Sequence, residues 1–306
     1  MNSQDIKNAI SGALVVDKPV GMTSHDVVQA IRNGTGLRRA GHTGTLDPRA
    51  SGVLVILVGP AVRLSEYVSA SDKRYQAIIR LGGSTDTFDA EGLVTLTKDP
   101  VSVTEAQFEE ALKTFVGEIE QTPPPYSAVK VQGRKAYEMA REGEQVELAP
   151  RKITVHHLEV LEWTPPEVVI DVHCSSGTYV RSLANDLGVM LGCGAYLIGL
   201  RRTKSGRFSL RDSVPLRKLQ EAFTAGNWYQ YLIPAAEALG DWPAIELSPD
   251  EVEGVRHGHR VKVVGDPTET KVRGVSTQGE LVALMEITVS EDGTREWQPK
   301  KVFFTD

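Results

Sequence analysis

Asp47 stands in the segment GHTGTLDPRASG, residues 41–52, where three glycines and a proline surround a single carboxylate. Glycine permits positive φ angles and lets backbone approach a ligand closely. A residue that precedes proline is driven out of the helical region, so Asp47, followed by Pro48, takes an extended or turn geometry. The unbroken apolar, β-branched run at 53–58 has the composition of a buried strand. The pattern places a carboxylate at the rim of a sheet. On spacing alone, a turn-forming Asp-Pro pair is the better account.

The elements around it are legible in part. Residues 13–16 form an apolar run stopped by Asp17, Lys18, Pro19 and Gly21, the pattern of a strand ending in a turn. Thr23 and Asp26 make a capping box, and Val27, Val28 and Ile31 recur on one face, which predicts a helix ended by Asn33 and Gly34. Residues 75–81 read as strand. Thr104 and Gln107 make a second box, with Phe108, Leu112, Phe115 and Val116 as the core-facing stripe of a helix that closes at Gly117. Residues 122–151 begin with Pro123, Pro124 and Pro125, excluded from helix interiors and central strands, and carry Lys130, Arg134, Lys135 and Arg141. That segment reads as an excursion from the sheet, stiff at its entry and mobile beyond. Residues 168–173 alternate as a strand, and Leu183, Leu187 and Leu191 mark a helix face. After Asp241, Trp242 and Pro243, β-rich runs at 260–264, 271–275 and 281–287 are punctuated by glycine, the signature of a small β-domain.

At 306 residues, with 41% hydrophobic and 24% charged residues, the composition is that of a globular protein of one large and one small domain. No apolar run approaches the roughly 20 residues that cross a bilayer, and MNSQDIKNAI lacks a secretion pattern, so a cytoplasmic protein is expected. Cys174 and Cys193 form no CxxC pair and have no histidine set at metal spacing, although His173 adjoins one of them; no structural zinc is expected. A net charge of −6 argues against coating nucleic acid by bulk charge. Any RNA site must be local. Two basic stretches qualify: Arg32, Arg38, Arg39, Arg49, Arg63, Lys73, Arg74 and Arg80, then Arg201, Arg202, Lys204, Arg207, Arg211, Arg217 and Lys218. Either one taken singly is better read as a solvated face.

The segment GHTGTLDPRASGVL closely resembles the second signature motif of the TruB family of pseudouridine synthases, G-H-x-G-x-L-D-P-x-A-[ST]-G-x-L. LVVDKPVGMTSHDVV at 14–28, SDKRYQAIIRLGGSTDTFDAEG at 71–92, PPPYSAVKVQGRKAYEMAREG at 123–143, CSSGTYVRSLANDLG at 174–188 and GAYLIGLRRTKSG at 194–206 extend the resemblance in the family's order. Val55 stands where relatives often carry proline, and Ser176 where many carry lysine. The resemblance implies an α+β fold: a mixed, largely antiparallel sheet flanked by helices over 1–240, a thumb-like insertion at about 122–151, and a PUA-like RNA-binding domain over 241–306.

It also implies the chemistry. Uridine becomes pseudouridine at position 55 of the tRNA T-loop, with no cofactor and no metal. Asp47 is the catalytic carboxylate and Arg181 its partner. Tyr75 stacks on the flipped base, Tyr179 and Leu200 line the uracil pocket, His42 stacks in the gap left in the RNA, and Lys18 with Pro19 buttresses the loop. The implied partner is the T-arm of tRNA, bound by a monomer without guide RNA or membrane. Three rivals stand beside this reading. They are a guide-RNA-dependent synthase with the same core motifs, a hydrolase with an aspartate nucleophile, and a non-catalytic RNA-binding protein. The DxDx[TV] pattern of aspartyl phosphatases is absent around Asp47, as are a P-loop and a GxGxxG dinucleotide fingerprint.

Overall fold

The structure, a computed structural model, describes residues 10–99, 103–127, 129–131, 133–144, 146–290 and 293–303. The N-terminal segment read for a secretion signal, residues 1–9, and positions 128, 132 and 145 of the proline-led excursion lie outside the described residues. The chain divides into two compact units. One comprises Met1–Pro48, Val53–Ser69 and Arg207–Asp306; the other comprises Arg49–Gly52 and Ala70–Gly206.

In the first unit, strand Gly12–Lys18 is buried along its length except at Asp17, pairing in parallel with Val214–Pro215 and antiparallel with Ile233–Pro234. Strand Ala40–His42 lies antiparallel on the apolar run, with His42 opposite Ile56. The expected helix runs Ser24–Thr35 and carries the capping box of Thr23 and Asp26. It does not end at Gly34. It continues to Gly36, whose φ of 70° makes the left-handed cap. Gly34 is a packing residue: a Cβ there would come within 2.0 Å of the Phe223 ring on helix Leu216–Ala225.

The tail of this unit is a five-stranded sheet in the order Ala244–Leu247, Lys271–Ser276, Leu281–Val289, Arg295–Val302, Val261–Lys262. One face, with Leu281, Leu284 and Phe303, joins the core formed by Ala13, Val15, Val53, Val55, Leu57 and Leu64. The other face closes over Val255 of helix Pro249–Arg256, with Val272, Met285 and Trp297. Both faces of the central strand are thereby removed from water, so its residues 281–285 read as an unbroken apolar run.

The second unit is a sheet of long antiparallel strands in the order Ala195–Ser205, Lys73–Leu81, Glu167–Cys174, Arg151–Thr164, Gly117–Gln121. The strand Lys73–Leu81 alternates strictly, with Lys73, Tyr75, Ala77, Ile79 and Leu81 inward. Apolar Ile78 at an outward position is what blurs the alternation of residues 75–81 in the sequence. Between Gln121 and Arg151, which face each other across the edge pair, the proline-led segment leaves the sheet. It forms the short hairpin Lys130–Val131 with Arg134–Lys135, then helix Ala136–Arg141. The second boxed helix is Glu105–Lys113, shorter than expected, because Gly117 already begins a strand. Phe108 is fully buried, against Trp163 at 5.3 Å between ring centroids. Phe115 is half-buried and Val116 is exposed, so neither belongs to the core as expected. The result is an α+β protein with a largely antiparallel sheet flanked by helices and a separate β-rich sheet in its tail.

Candidate active site

Asp47 is half-buried in irregular backbone, and the residues on either side of it are fixed. Ser24, itself buried, accepts from Leu46 N–H at 2.8 Å and donates to Leu46 C=O at 3.0 Å. On the other side the Pro48 carbonyl accepts from Gly21 N–H at 2.8 Å and from Lys18 Nζ at 3.3 Å. Earlier in the loop Thr43 N–H reaches Val55 C=O at 3.1 Å. Each bond satisfies a backbone group that would otherwise be costly to bury, and together they leave the carboxylate of Asp47 little freedom beyond its own χ angles.

Lys18 is wholly excluded from solvent. Its ammonium donates to the carbonyls of Pro19 at 2.9 Å and Met22 at 2.5 Å in addition to Pro48. A buried cation survives when hydrogen-bond acceptors replace its water. Here those acceptors belong to the turn after strand Gly12–Lys18 and to the aspartate loop, so the residue braces that loop. His42 is half-buried at the end of its short strand.

Tyr75, Tyr179, Arg181 and Leu200 belong to the second unit. Tyr75 is buried on strand Lys73–Leu81, facing Val172 on one side and Arg202 on the other. Leu200 lies directly across from Ala77, hence on the face that Ala77 shares with Tyr75. Tyr179 is the residue before helix Val180–Met190. The buried Gln121 holds its backbone from both directions, Oε1 accepting from Tyr179 N–H at 2.8 Å and Nε2 donating to Tyr179 C=O at 3.0 Å. The Arg151 guanidinium sits over the Tyr179 ring at 5.2 Å from its centroid.

Arg181, in the first turn of that helix, reaches a carboxylate that sequence reasoning did not single out. Its Nη1 lies 3.2 Å from Asp89 Oδ2 and donates to Thr87 C=O at 3.4 Å, while Nη2 donates to Tyr126 C=O at 3.2 Å. Asp89 Oδ1 in turn accepts from Thr87 Oγ1 at 2.6 Å and from Glu91 N–H at 3.0 Å. Between them Phe88 is held at a φ of 62°, rare for a non-glycine residue. The signal available in the sequence was the Thr-Phe-Asp-Ala-Glu run, whose aspartate bonds the backbone two residues on.

Gly52, at a φ of 99°, could not be another residue: a Cβ there would lie 2.2 Å from Arg202 C=O. Arg202 is almost fully buried. Beside it, burial first and then the Arg202 charge depress the Lys73 ammonium to about 8. Burial likewise pushes the Cys174 thiol up to about 11, which keeps it protonated and inert. The two basic stretches are consequently less basic on the surface than in composition. Lys73 and Arg202 are inside, Arg49 pairs with Glu91, Arg74 with Asp171, Arg80 with Glu167 and Arg217 with Glu221. Arg38, Arg39, Lys204, Arg211 and Lys218 are exposed.

Residues 32–180 match the family model of the TruB family pseudouridylate synthase N-terminal domain, and residues 181–239 that of the tRNA pseudouridylate synthase B C-terminal domain. The tRNA pseudouridine synthase B of Symbiobacterium thermophilum is 47% identical over 252 residues, 81% of this chain and 82% of its own. Those of Syntrophotalea carbinolica and Pseudomonas aeruginosa are 42% and 40% identical, covering 81% of each chain in the first case and 94% and 95% in the second. Among solved structures, a chain of an H/ACA ribonucleoprotein bound to a substrate RNA containing 2'-deoxyuridine superposes with a TM-score of 0.74 at 28% identity, covering 98% of this chain and 86% of that one. A chain of a Cbf5–Nop10–Gar1 complex does so at 0.74 and 29%, covering 98% and 87%.

Proposed function

Because the chain belongs to the TruB family of pseudouridylate synthases, we propose that it isomerises uridine to pseudouridine in tRNA, at position 55 of the T-loop, with Asp47 as its catalytic carboxylate. The observation that carries this reading is the one carboxylate of the signature segment, with both its neighbours locked by Ser24, Gly21 and Lys18.

The reaction breaks the bond from C1' to N1, turns the base and joins C1' to C5, with no net gain or loss of atoms or electrons, so it needs no cofactor. The base must first leave its stack, at a cost of a few kcal/mol that a receiving aromatic and apolar pocket offsets. Tyr75, Tyr179 and Leu200 supply that pocket, and His42 fills the gap in the RNA. Cleavage leaves positive character on the ribose, which the ionised Asp47 stabilises as carboxylates do in glycosidases. Arg181 is the cation of the site, and Lys18 acts through the loop rather than on substrate. The detached base must be held in a dry pocket while it turns.

Affinity comes from phosphate contacts of the exposed Arg38, Arg39, Lys204, Arg211 and Lys218, and specificity from the shape of the folded loop. The proline-led excursion acts as a thumb on the T-loop, and the β-rich tail as a PUA-like domain on the acceptor arm. The enzyme works in the cytoplasm as a monomer without guide RNA. Among the described residues no helix is long and apolar enough to cross a membrane.

The superposition on H/ACA proteins favours one second reading, guide dependence. An unmodified tRNA transcript incubated with the purified chain and no other RNA separates the two. Carbodiimide labelling at the T-arm uridine is the expected result; labelling that appears after a guide RNA is added, and not before, gives the second reading.

A further inference from the structure

Three side chains far apart in the sequence meet at one end of the second unit's sheet. Asp72 immediately precedes strand Lys73–Leu81, His173 is the penultimate residue of strand Glu167–Cys174, and His156 lies on strand Arg151–Thr164. His156 Nε2 is 3.1 Å from Asp72 Oδ2, and His173 Nε2 is 4.0 Å from the same oxygen. The two imidazole rings are 4.8 Å apart between centroids, and one ligand atom from each of the three residues falls within 4.8 Å of the others.

The backbone makes this convergence. Val155 pairs with Cys174 and His157 with His173, so His156 is the extra residue of a β-bulge. A bulge sets two residues opposite one and re-aims their side chains; here both His156 and His157 lie opposite His173. His157 turns to Glu159, at 3.3 Å. His156 turns to Asp72. The group is half-exposed, at 47%, 35% and 41% for the side chains of Asp72, His156 and His173, so an ion from solution can enter.

We propose that Asp72, His156 and His173 form a site for a divalent transition metal of the zinc class, which nothing in the pseudouridylate-synthase reaction requires. Zinc bound by imidazole nitrogen at about 2.0–2.1 Å and carboxylate oxygen at about 2.0–2.2 Å sets its ligands about 3.3 Å apart in a tetrahedral arrangement. The distance from Asp72 to His156 already fits, and that from Asp72 to His173 closes by a small side-chain rotation. Two imidazoles and one carboxylate favour zinc, nickel or copper over magnesium or calcium, which take oxygen ligands. Solvent fills the remaining positions. Lys73, next to Asp72 in the chain, is turned inward and buried, and Arg74 is engaged by Asp171 through two contacts at 2.8 and 2.9 Å. Lys204, opposite Arg74 in the sheet, is exposed.

Bound metal would tie the turn at Asp72 to the two neighbouring strands, and with it the start of the strand that carries Tyr75. The site therefore predicts a metal-dependent gain in stability.

Isothermal titration of the full, untagged, chelator-treated chain with zinc, nickel and magnesium chlorides tests this, alongside thermal unfolding with and without each salt. Saturable binding of one zinc or nickel ion, a raised melting temperature and no response to magnesium are expected. His156→Gln, His173→Gln and Asp72→Asn should each weaken zinc binding by more than about tenfold and abolish the melting shift. His257→Gln, at a second pair of histidine rings 6.3 Å apart, should change neither. Absence of saturable binding, zinc affinity unchanged in the three variants, or affinity lost in His257→Gln would each overturn the assignment, whatever the tRNA assay gives.

Discussion

The Arg181 guanidinium and the Asp89 carboxylate lie 3.2 Å apart with side-chain exposures of 9% and 16%. The arginine is thus anchored to the 85–91 turn as well as to the Tyr126 carbonyl. A guanidinium presents five N–H donors in a fixed fork, and a fork held by Asp89 has its plane chosen before any nucleotide arrives. We propose that Asp89, by fixing the Arg181 guanidinium, serves as a positioning residue for it.

Asp89→Ala removes one carboxylate partner of a nearly buried cation. Removing one partner of such a pair costs about 3–5 kcal/mol, so the denaturation midpoint of the variant should fall sharply. Asp89→Glu, which keeps the charge, should restore most of the loss, and in the folded fraction turnover should drop while KM for tRNA changes little. An Asp89→Ala protein with the parent's midpoint would show that the pair holds nothing.

Ser24→Ala removes the hydroxyl that serves both polar groups of Leu46. Leaving a buried donor or acceptor unsatisfied costs about 1–3 kcal/mol. Activity should suffer more than stability, because the loop being freed carries Asp47: turnover should fall by about ten- to a hundredfold through misplacement. A variant as active as the parent, with its melting temperature lowered, would reduce the clamp to a structural role.

Lys73 gives a prediction in pH. Its ammonium is depressed to about 8 in the folded chain, against an ordinary value of 10.5. Between those values the unfolded chain binds more protons than the folded one, so this group makes stability rise with pH across that window. Below pH 8 both states are protonated and the folded chain bears the whole cost of the buried charge. Lys73→Met deletes the effect. The stability of the variant relative to the parent should be greatest at pH 7 and should decline by about 3 kcal/mol toward pH 10.5, measured by denaturant titration at both ends. A difference that does not vary with pH would mean Lys73 is not a buried cation.

These residues also mark where the sequence could be read. The helix at Ser24–Thr35 carries its own start signal in Thr23 and Asp26, and the strand Ser51–Val58 its own apolar run, so both were legible locally. The helix end was not, because Gly34 answers to Phe223 and looks like a stop signal without it. Helix Pro249–Arg256 carries a local start signal of its own in Ser248, Pro249 and Glu251. The strand Arg151–Thr164 hides its period behind two register shifts. Ser24 with Leu46, Gln121 with Tyr179 and Asp89 with Arg181 join residues 22, 58 and 92 positions apart. Such pairings leave no trace in local periodicity. Composition likewise counted Lys73 and Arg202 as surface charge, although the sheet puts both inside.

Asp47→Asn separates binding from chemistry. The amide is nearly isosteric with the carboxylate, and the hydrogen bonds that hold Leu46 and Pro48 involve backbone that the substitution leaves in place. The variant should therefore fold like the parent and bind tRNA like it. Binding by both proteins should weaken steeply as salt rises, through release of counterions from the phosphates. An amide carries no net charge with which to meet positive character on the ribose, so pseudouridine should be undetectable even at high enzyme concentration. Turnover by Asp47→Asn at the parent's rate would remove the carboxylate from the mechanism. A salt-independent affinity would separately remove Arg38, Arg39, Lys204, Arg211 and Lys218 from the RNA-binding surface.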